Sequence, residues 1–452
     1  MIVRKFIESL SPPKAGVFAF AFICVVHAAY AFFLAVDVTM WDQWDAEGEW
    51  YKRLVNGRID IESLVVPHNE HRIAFTRVFN GALYIIAGGW SPVLGVYAQI
   101  PIIALAVALL CTWVIKYAKE RRVASFTLTL LAFSLPFSWA NMLSSFQNQF
   151  YFMLVLALTA IALTAMAESA TALLLGVLLA LLSPFSMAGG IGTIFVVWGL
   201  FVLRLLARPN RWFFFSSILL ILSVGIILHG RALVHFAAHD SLYAQSLLEF
   251  VVSFFKILGW PEMPIGFLTW GAITLSLSHW LRSNGGVLQS LTLLSPPQRL
   301  ALGLIAWYFF QAAATAYSRT HSDLMSARYQ QNFALVIPIA FLTMGVSGFA
   351  VRREKLVGWA YAILVVGLAS RLNRELPYMQ KHLAESRHAR EIIVESVAKN
   401  SFALLKAQDR NGSLGYFSAE RIWEQIMNPE LRYRHLWLAS THVQTTTKSA
   451  GR

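Results

Sequence analysis

The stretch AGVFAFAFICVVHAAYAFFLAVD (residues 15–37) decides the fold class, because the only residue in it that is charged at neutral pH, Asp37, stands at its end. About 20 apolar residues in a helix are enough to cross a hydrocarbon layer of about 30 Å. Arg4, Lys5 and Lys14 precede the stretch, and no small-residue cleavage site follows it. We therefore expect an uncleaved first membrane span and not a signal peptide.

Similar apolar runs recur along the chain of 452 residues, of which 57% are hydrophobic and 13% charged. A globular core cannot bury that much apolar surface, and strand-like alternation is absent, so the composition predicts an all-α polytopic membrane protein whose first partner is the lipid bilayer. Cys24 and Cys111 both lie in apolar runs, which argues against a disulfide framework or a cysteine metal site. Eleven spans are predicted, at about 15–37, 91–115, 123–140, 150–167, 170–183, 190–206, 211–229, 263–281, 299–317, 329–350 and 355–371.

The net charge of +13 arises mainly from basic clusters in short segments between apolar runs, such as KYAKERR (116–122). Topology explains such clusters better than a nucleic-acid partner does, because basic residues concentrate in cytoplasmic loops. We expect a cytoplasmic N-terminus. The first loop (about 38–90) and the tail (372–452) are then extracytoplasmic, and the tail is predicted to form a small helical domain with a frayed end, TTTKSAGR (445–452).

Acidic residues concentrate in the first loop, where eight of the chain's 24 carboxylates lie between residues 37 and 72. In WDQWDAEGEWYKRL (41–54), helical spacing places Asp42, Asp45 and Glu49 on one face of a short interfacial helix. Like charges at this spacing weaken a helix and call for a cation or a proton. We therefore expect a catalytic base here, or a divalent Mg or Mn ion at Asp42 and Asp45. A solvated amphipathic connector is the alternative.

The segment PHNEHRIAF (67–75) opens with proline, a favoured first helical residue, so we predict that a helix begins there. A carboxylate beside imidazoles and a guanidinium suits proton transfer and phosphate recognition. The histidine spacing is not that of a dedicated zinc site, and a merely hydrated helix start is the alternative. The residues expected on one face are His68, His71 and Arg72, with Glu70 about a third of a turn away.

Further polar residues fall at span boundaries on the same expected side. Amides there can bond sugar hydroxyls, or they can be ordinary interfacial amides; these are Asn141, Gln147 and Gln149. Cationic groups at span ends attract lipid phosphates; this set comprises Arg319, Arg328 and the adjacent Tyr329. A looser set, to which we assign no role, contains His235, His239 and Asp240.

The order of these motifs resembles the GT-C class of integral-membrane glycosyltransferases, whose first extracytoplasmic loop carries an acidic catalytic motif. The resemblance rests on WDQWDAE followed by PHNEHR, and on Arg319 with SARY (326–329), elements that resemble those of a bacterial subgroup. It covers most of residues 15–371 and leaves the tail unmatched. It implies transfer of a sugar from a polyprenyl-phosphate donor to a glycan, lipid or protein acceptor outside the cytoplasm.

Together, the resemblance and the chemistry of the side chains assign three sets of residues. Catalytic residues are Asp42, Asp45, Glu47 and Glu70. Residues for the donor phosphate are His68, His71, Arg72, Arg319, Arg328 and Tyr329. Residues for the sugar or acceptor are Asn69, Asn141, Gln147 and Gln149. A transporter and a flippase-like or structural component of envelope glycan assembly are the rival classes; spans nearly free of charge argue against a transporter.

Overall fold

The computed structural model describes residues 2–118, 121–283, 286–348, 354–408, 414, 418–428 and 431. Within these residues the regular structure is helical, apart from one isolated β-bridge between His68 and His71. The predicted all-α class is therefore confirmed for the described chain. The predicted frayed end, 445–452, lies outside the described residues.

The first half of the chain begins with a long apolar helix and continues through a group of short helices before the bundle resumes. Three long helices carry proline in their first turn, where the missing N–H group breaks no intrahelical bond. The helices are α1 (Ile2–Ser9), α2 (Pro12–Leu34), α3 (Gln43–Val55), α4 (Ile61–Val65), α5 (Ala74–Ala87), α6 (Pro92–Tyr117), α7 (Arg122–Ser134), α8 (Trp139–Met142), α9 (Asn148–Met166), α10 (Ala170–Leu182), α11 (Ile191–Ala207) and α12 (Trp212–Arg231).

The second half contains a bent helix pair, two further long segments of the bundle and one exceptionally long helix. Its helices are α13 (Leu247–Leu258), α14 (Met263–Ser283), α15 (Val287–Thr292), α16 (Pro296–Ser318), α17 (Ala327–Ala334), α18 (Val336–Ser347), α19 (Glu354–Ala398), α20 (Phe402–Gln408) and α21 (Ala419–Met427).

Eight helical segments of the described chain are long and apolar enough to cross a membrane. The pair α13 and α14, bent by 83°, adds a ninth if it counts as one span. The predicted count of eleven is thus not confirmed. Predicted span 170–183 corresponds to a shorter apolar helix, and 355–371 is the first part of α19 and is not among the eight. The eight are Pro12–Leu34, Pro92–Tyr117, Arg122–Met142, Ser145–Met166, Ala188–Ala207, Pro209–Arg231, Pro296–Ser318 and Ala327–Ser347.

One end of the bundle carries the first loop, and we call it the loop face: α2 ends there at Leu34 and α6 begins there at Pro92. These two helices run antiparallel in close contact. A Cβ atom on Gly16 would lie 2.4 Å from the Thr112 hydroxyl, so glycine is required at this crossing. The main apolar core fills the space between α2, α6, α7, α9, α16 and α18.

The first loop and the tail share a second apolar core. Trp44 and Trp50 of α3 are buried in it with Ile393 of α19, Leu405 of α20 and Ile422 of α21. Helix α19 has 45 residues, which at 1.5 Å each gives about 68 Å, more than twice the hydrocarbon thickness. It therefore extends beyond the bundle and brings the described part of the tail onto the first loop.

Candidate functional site

A tight turn at the loop face presents the PHNEHR motif. The backbone N–H of His68 donates to the carbonyl of His71 (2.8 Å), and the N–H of His71 donates to that of His68 (3.0 Å). Asn69, inside the turn, has φ of +50°, a left-handed conformation that asparagine adopts more readily than most residues. The predicted helix start at Pro67 is therefore wrong: these reciprocal bonds close a hairpin turn, and α5 begins only at Ala74.

The Glu70 carboxylate is the centre of a polar cluster. It forms an ion pair with Arg319, its Oε2 lies 2.9 Å from His239 Nδ1, and its Oε1 lies 3.9 Å from His71 Nε2. Burial alone would raise the pKa of Glu70, but the neighbouring His71 and Arg319 lower it to about 2. Glu70 is thus a fixed negative charge at neutral pH.

Arg319 connects this cluster to the SARY segment. Its Nε donates to the Tyr329 hydroxyl (3.0 Å) and its Nη1 donates to the Ser318 carbonyl (3.1 Å), while Nη2 donates to Glu70. Although burial opposes the charge, Tyr329 and Glu70 raise the pKa of Arg319 above its ordinary value. We call Glu70, Arg319, Tyr329, His239 and His71 the Glu70 cluster.

Both histidines of the turn are held largely neutral. Burial lowers the pKa of His71 to about 4, against the opposing effect of Glu70. Burial also lowers the pKa of His68, although Asp42 and Glu70 raise it in part. Asp42 is therefore an electrostatic neighbour of His68. His68 Nε2 and His71 Nδ1 are buried and have no hydrogen-bond partner among the described residues, which leaves two polar atoms available to a bound molecule.

The carboxylates of α3 have different surroundings. Asp42 is the N-terminal cap residue and is partly buried, and its side chain makes no cap hydrogen bond. Asp45 pairs with Arg421 of α21 at 2.5 Å; burial raises its pKa and Arg421 opposes the shift. A helix is present at the predicted place, and Asp45 on it is engaged by the contact with the tail.

Glu47 is 3% exposed and accepts four side-chain hydrogen bonds. The donors are Gln43 (3.0 Å), Tyr51 (3.2 Å), Asn80 (2.8 Å) and Ser145 (3.3 Å). Burial raises its pKa to about 7, although these hydrogen bonds lower it in part. Glu47 therefore joins α3 to α5 and to the start of the Ser145–Met166 span, and this position suits a structural carboxyl group better than a catalytic one.

The remaining predicted residues lie at varied depths. Arg72 donates to the Ala232 carbonyl (2.6 Å) and lines a small cavity with Glu70 and His229. Arg328 is exposed, and its carbonyl accepts a hydrogen bond from Asn141 (2.9 Å). The three predicted sugar-binding amides at the span boundary are buried, at 4% exposure or less: Asn141, Gln147 and Gln149. Asn69 is partly buried in the turn.

An apolar cleft of about 620 Å³ opens between α13 and α16. Tyr317 lines it, two residues before Arg319 in the chain, and Tyr243 stacks on Tyr317 with ring centroids 5.4 Å apart. Burial and the charge of Glu70 raise the pKa of Tyr243. Other apolar residues of the lining are Leu247, Phe250, Phe310, Ala313 and Ala314.

His239 is the member of the cluster to which the sequence assigned no role. Its neighbour His235 forms an exposed ion pair with Asp240 (2.9 Å) and does not reach Glu70. Local sequence does not distinguish the two histidines, because only the path of the loop after α12 brings His239 onto Glu70.

The metal site predicted at Asp42 and Asp45 has no third protein ligand among the described residues. Among the described residues, no group of three or more His, Cys, Asp or Glu side chains is arranged to hold a metal ion. Asp45 is moreover engaged by Arg421. The residues present therefore do not fit a Mg or Mn ion held by protein ligands alone, since such ions take several oxygen ligands.

No family model matches this chain, and no curated protein or solved structure matches it either.

Proposed function

We propose that this chain is a GT-C-like glycosyltransferase of the bacterial inner membrane, which transfers a sugar from a polyprenyl-phosphate donor to an extracytoplasmic acceptor. One observation carries the proposal: Arg319, fixed by Glu70 and Tyr329, lies two residues beyond the tyrosine that lines the apolar cleft. A polyprenyl-phosphate sugar needs this combination, an apolar groove for its chain beside a fixed cation for its phosphate.

Arg319 retains hydrogen-bonding capacity for a phosphate. A guanidinium has five N–H donors, and Tyr329, Ser318 and Glu70 engage three of them. The two others remain for the donor phosphate. Arg72 adds a second cation beside the Glu70 carboxylate, since Arg72 and Glu70 line one small cavity. Phosphate held in this way leaves more readily, because positive charge offsets the charge that develops on it.

Asp42 is the carboxylate best placed to act as the base. Asp45 is paired with Arg421, Glu47 is enclosed by four donors, and Glu70, with a pKa of about 2, is a poor proton acceptor near neutral pH. Asp42 is partly buried and close enough to His68 to affect its titration. We therefore assign the base to Asp42, one of the two aspartates between which the sequence left the choice open.

The transfer forms one bond and breaks one. The acceptor hydroxyl oxygen forms a bond to the anomeric carbon, and its proton passes to Asp42. The bond between that carbon and the phosphate oxygen breaks, its electron pair stays on the oxygen, and polyprenyl phosphate leaves. No part of this scheme requires a metal. The predicted Mg or Mn ion is tested separately by chelation: unchanged turnover in EDTA removes it.

Reconstitution tests the proposal. Purified protein in liposomes, supplied with polyprenyl-phosphate sugars of several kinds, is expected to release polyprenyl phosphate. Arg319→Gln should abolish the release. Glu395→Gln, which removes only an exposed ion pair with Lys399, should not change it. Movement of the lipid between leaflets without release from any donor would favour the flippase-like or transporter alternative.

A further inference from the structure

A buried ionic link joins α19 to the segment that carries Tyr329. Arg371 and Glu375, one turn apart on α19, form an ion pair at 2.5 Å, and their side chains are 10% and 6% exposed. Glu375 also accepts hydrogen bonds from Gln330 Nε2 (2.6 Å) and Trp139 Nε1 (3.2 Å). Buried charges persist only when paired and hydrogen-bonded, and here each has several partners.

The same link contacts the chain on both sides of Tyr329, at a backbone carbonyl on one side and at a side-chain amide on the other. On the N-terminal side, the Met325 carbonyl accepts from Arg371 Nη2 (2.9 Å) and from Gln330 Nε2 (2.8 Å). On the C-terminal side, Gln330 Oε1 accepts from Arg371 Nε (3.0 Å). Arg371 therefore bonds both ends of the segment Met325–Gln330.

We propose that Arg371 is a positioning residue for Arg319, which acts by holding Tyr329 at hydrogen-bond distance from the Arg319 guanidinium. The inference rests on the proposed function, because it assigns Arg371 a part in donor turnover. Arg371 touches neither Arg319 nor Glu70 in the described structure; its influence passes through Met325–Gln330 to the Tyr329 hydroxyl.

Such positioning matters because a catalytic site tolerates little displacement of its groups. Misplacement of a catalytic group by about 1 Å can cost about 100-fold in rate. Tyr329 lies in the first turn of α17, at the N-terminal end of the segment Ala327–Ser347, and helix ends are the parts of a helix that fray. Arg371 supplies the constraint from outside this helix.

The test variant removes both buried charges together. Arg371→Met with Glu375→Gln leaves no unpaired charge in the interior, and the amide still accepts from Trp139. Arg371→Lys is the conservative variant. It keeps the ion pair but has no planar fork to bond Gln330 and Met325 at the same time. Thermal unfolding first confirms that each variant folds.

A double-mutant cycle in turnover then separates positioning from general destabilisation. We expect the double variant to lower kcat by about 10- to 100-fold in the wild-type background. In a Tyr329→Phe background the further loss should be below about 3-fold, because the link to Arg319 is already absent. Arg204→Lys is the matched control. This buried arginine bonds carbonyls at the C-terminal end of α9, about 24 Å along that helix from the loop face. Any loss of kcat that it causes should therefore be independent of Tyr329, so that the losses in the Arg204→Lys, Tyr329→Phe double variant multiply.

A readout that needs no substrate distinguishes failure of this inference from failure of the proposed function. With Cys24 and Cys111 replaced, a nitroxide attached at the exposed position of Arg328→Cys should give a more mobile electron-spin spectrum in the double variant than in the parent, because the helix turn that carries it is less firmly held. An unchanged spectrum, or losses that multiply as they do for Arg204, overturns the positioning role. If the wild-type protein releases no polyprenyl phosphate from any donor, the proposed function fails and the spectrum alone decides the role of Arg371.

Discussion

Arg319 forms an ion pair with Glu70, a residue that precedes it by 249 positions in the chain. The contact joins the turn in the first loop to the end of α16. Because Arg319 also bonds Tyr329, PHNEHR and SARY, two of the three segments on which the sequence resemblance rests, meet at one point. Tyr317, two residues before Arg319 in the chain, lines the apolar cleft.

The first prediction concerns this pair. Glu70→Gln removes the charge that holds Arg319 and His239, so the guanidinium loses its fixed position. We expect polyprenyl-phosphate release to fall by about 100-fold, with little change in the binding of the lipid, because the cation itself remains. Turnover and direct lipid binding of the purified protein measure the two effects. Weaker binding with unchanged turnover would contradict the assignment.

The second prediction separates the two aspartates of α3. Asp42→Asn should lower turnover by about 10²–10⁴-fold, the usual range for loss of a positioned base. Asp45→Asn should have a smaller effect, equal to that of Arg421→Gln, because each removes the same contact with the tail. Steady-state rates of the three variants decide between them. An Asp42→Asn protein with full activity would return the role to Asp45.

The third prediction follows from the buried carboxyl group of Glu47, whose pKa of about 7 lies above the ordinary value of 4.5. The folded state holds this proton more tightly than the unfolded state. Its stabilising contribution is therefore complete below pH 4.5 and is lost as the pH rises through 7, a change on the order of 3 kcal/mol. Glu47→Gln lacks the titration, so its unfolding temperature relative to wild type should rise between pH 5 and 8. A difference that stays constant with pH would refute this.

The fourth prediction tests the core shared by the first loop and the tail. Ile422 is fully buried in it, whereas Met427, also on α21, is 41% exposed. Ile422→Ala should destabilise this unit by about 2–5 kcal/mol through lost burial and the cavity left behind. Met427→Ala should change the stability little. Limited proteolysis of the tail and thermal unfolding in detergent measure both; equal effects of the two variants would count against the shared core.

The fifth prediction concerns topology. Because the first loop and the tail share a core, Asn56 and Asn400 must lie on the same side of the membrane, whichever side that is. Asn210, between α11 and α12 at the opposite end of the bundle, must lie on the other. Single cysteines at the three positions, labelled in intact cells with an impermeant reagent, test this. The basic clusters of the sequence further predict that Asn56 and Asn400 are extracytoplasmic.

The sequence predicted the class of fold because apolar run length is a local property. Within the described residues, each predicted span falls for most of its length on helical structure, although short or bent helices such as α10 and the α13–α14 pair keep the count of long apolar spans at eight or nine. The sequence predicted a helix at His68–His71 because proline is common both in turns and in the first turn of a helix. The left-handed conformation of Asn69, which makes this segment a turn, cannot be detected from hydrophobic periodicity. Contacts between distant segments could not be predicted either, because nothing near Asp45 in the sequence indicates that Arg421 is its partner.

Those distant contacts also set an order of events during synthesis. Lys52 lies 372 residues before its partner Glu424, and Trp44 and Trp50 lack part of their apolar surroundings until α19, α20 and α21 have been made. A ribosome that stops early therefore releases a chain that has the eight long apolar spans found in the described residues, but whose first loop still exposes apolar surface. Quality-control proteases and chaperones recognise such exposed tryptophans, so a nonsense mutation late in the gene should reduce the amount of protein more than the loss of a short tail would suggest.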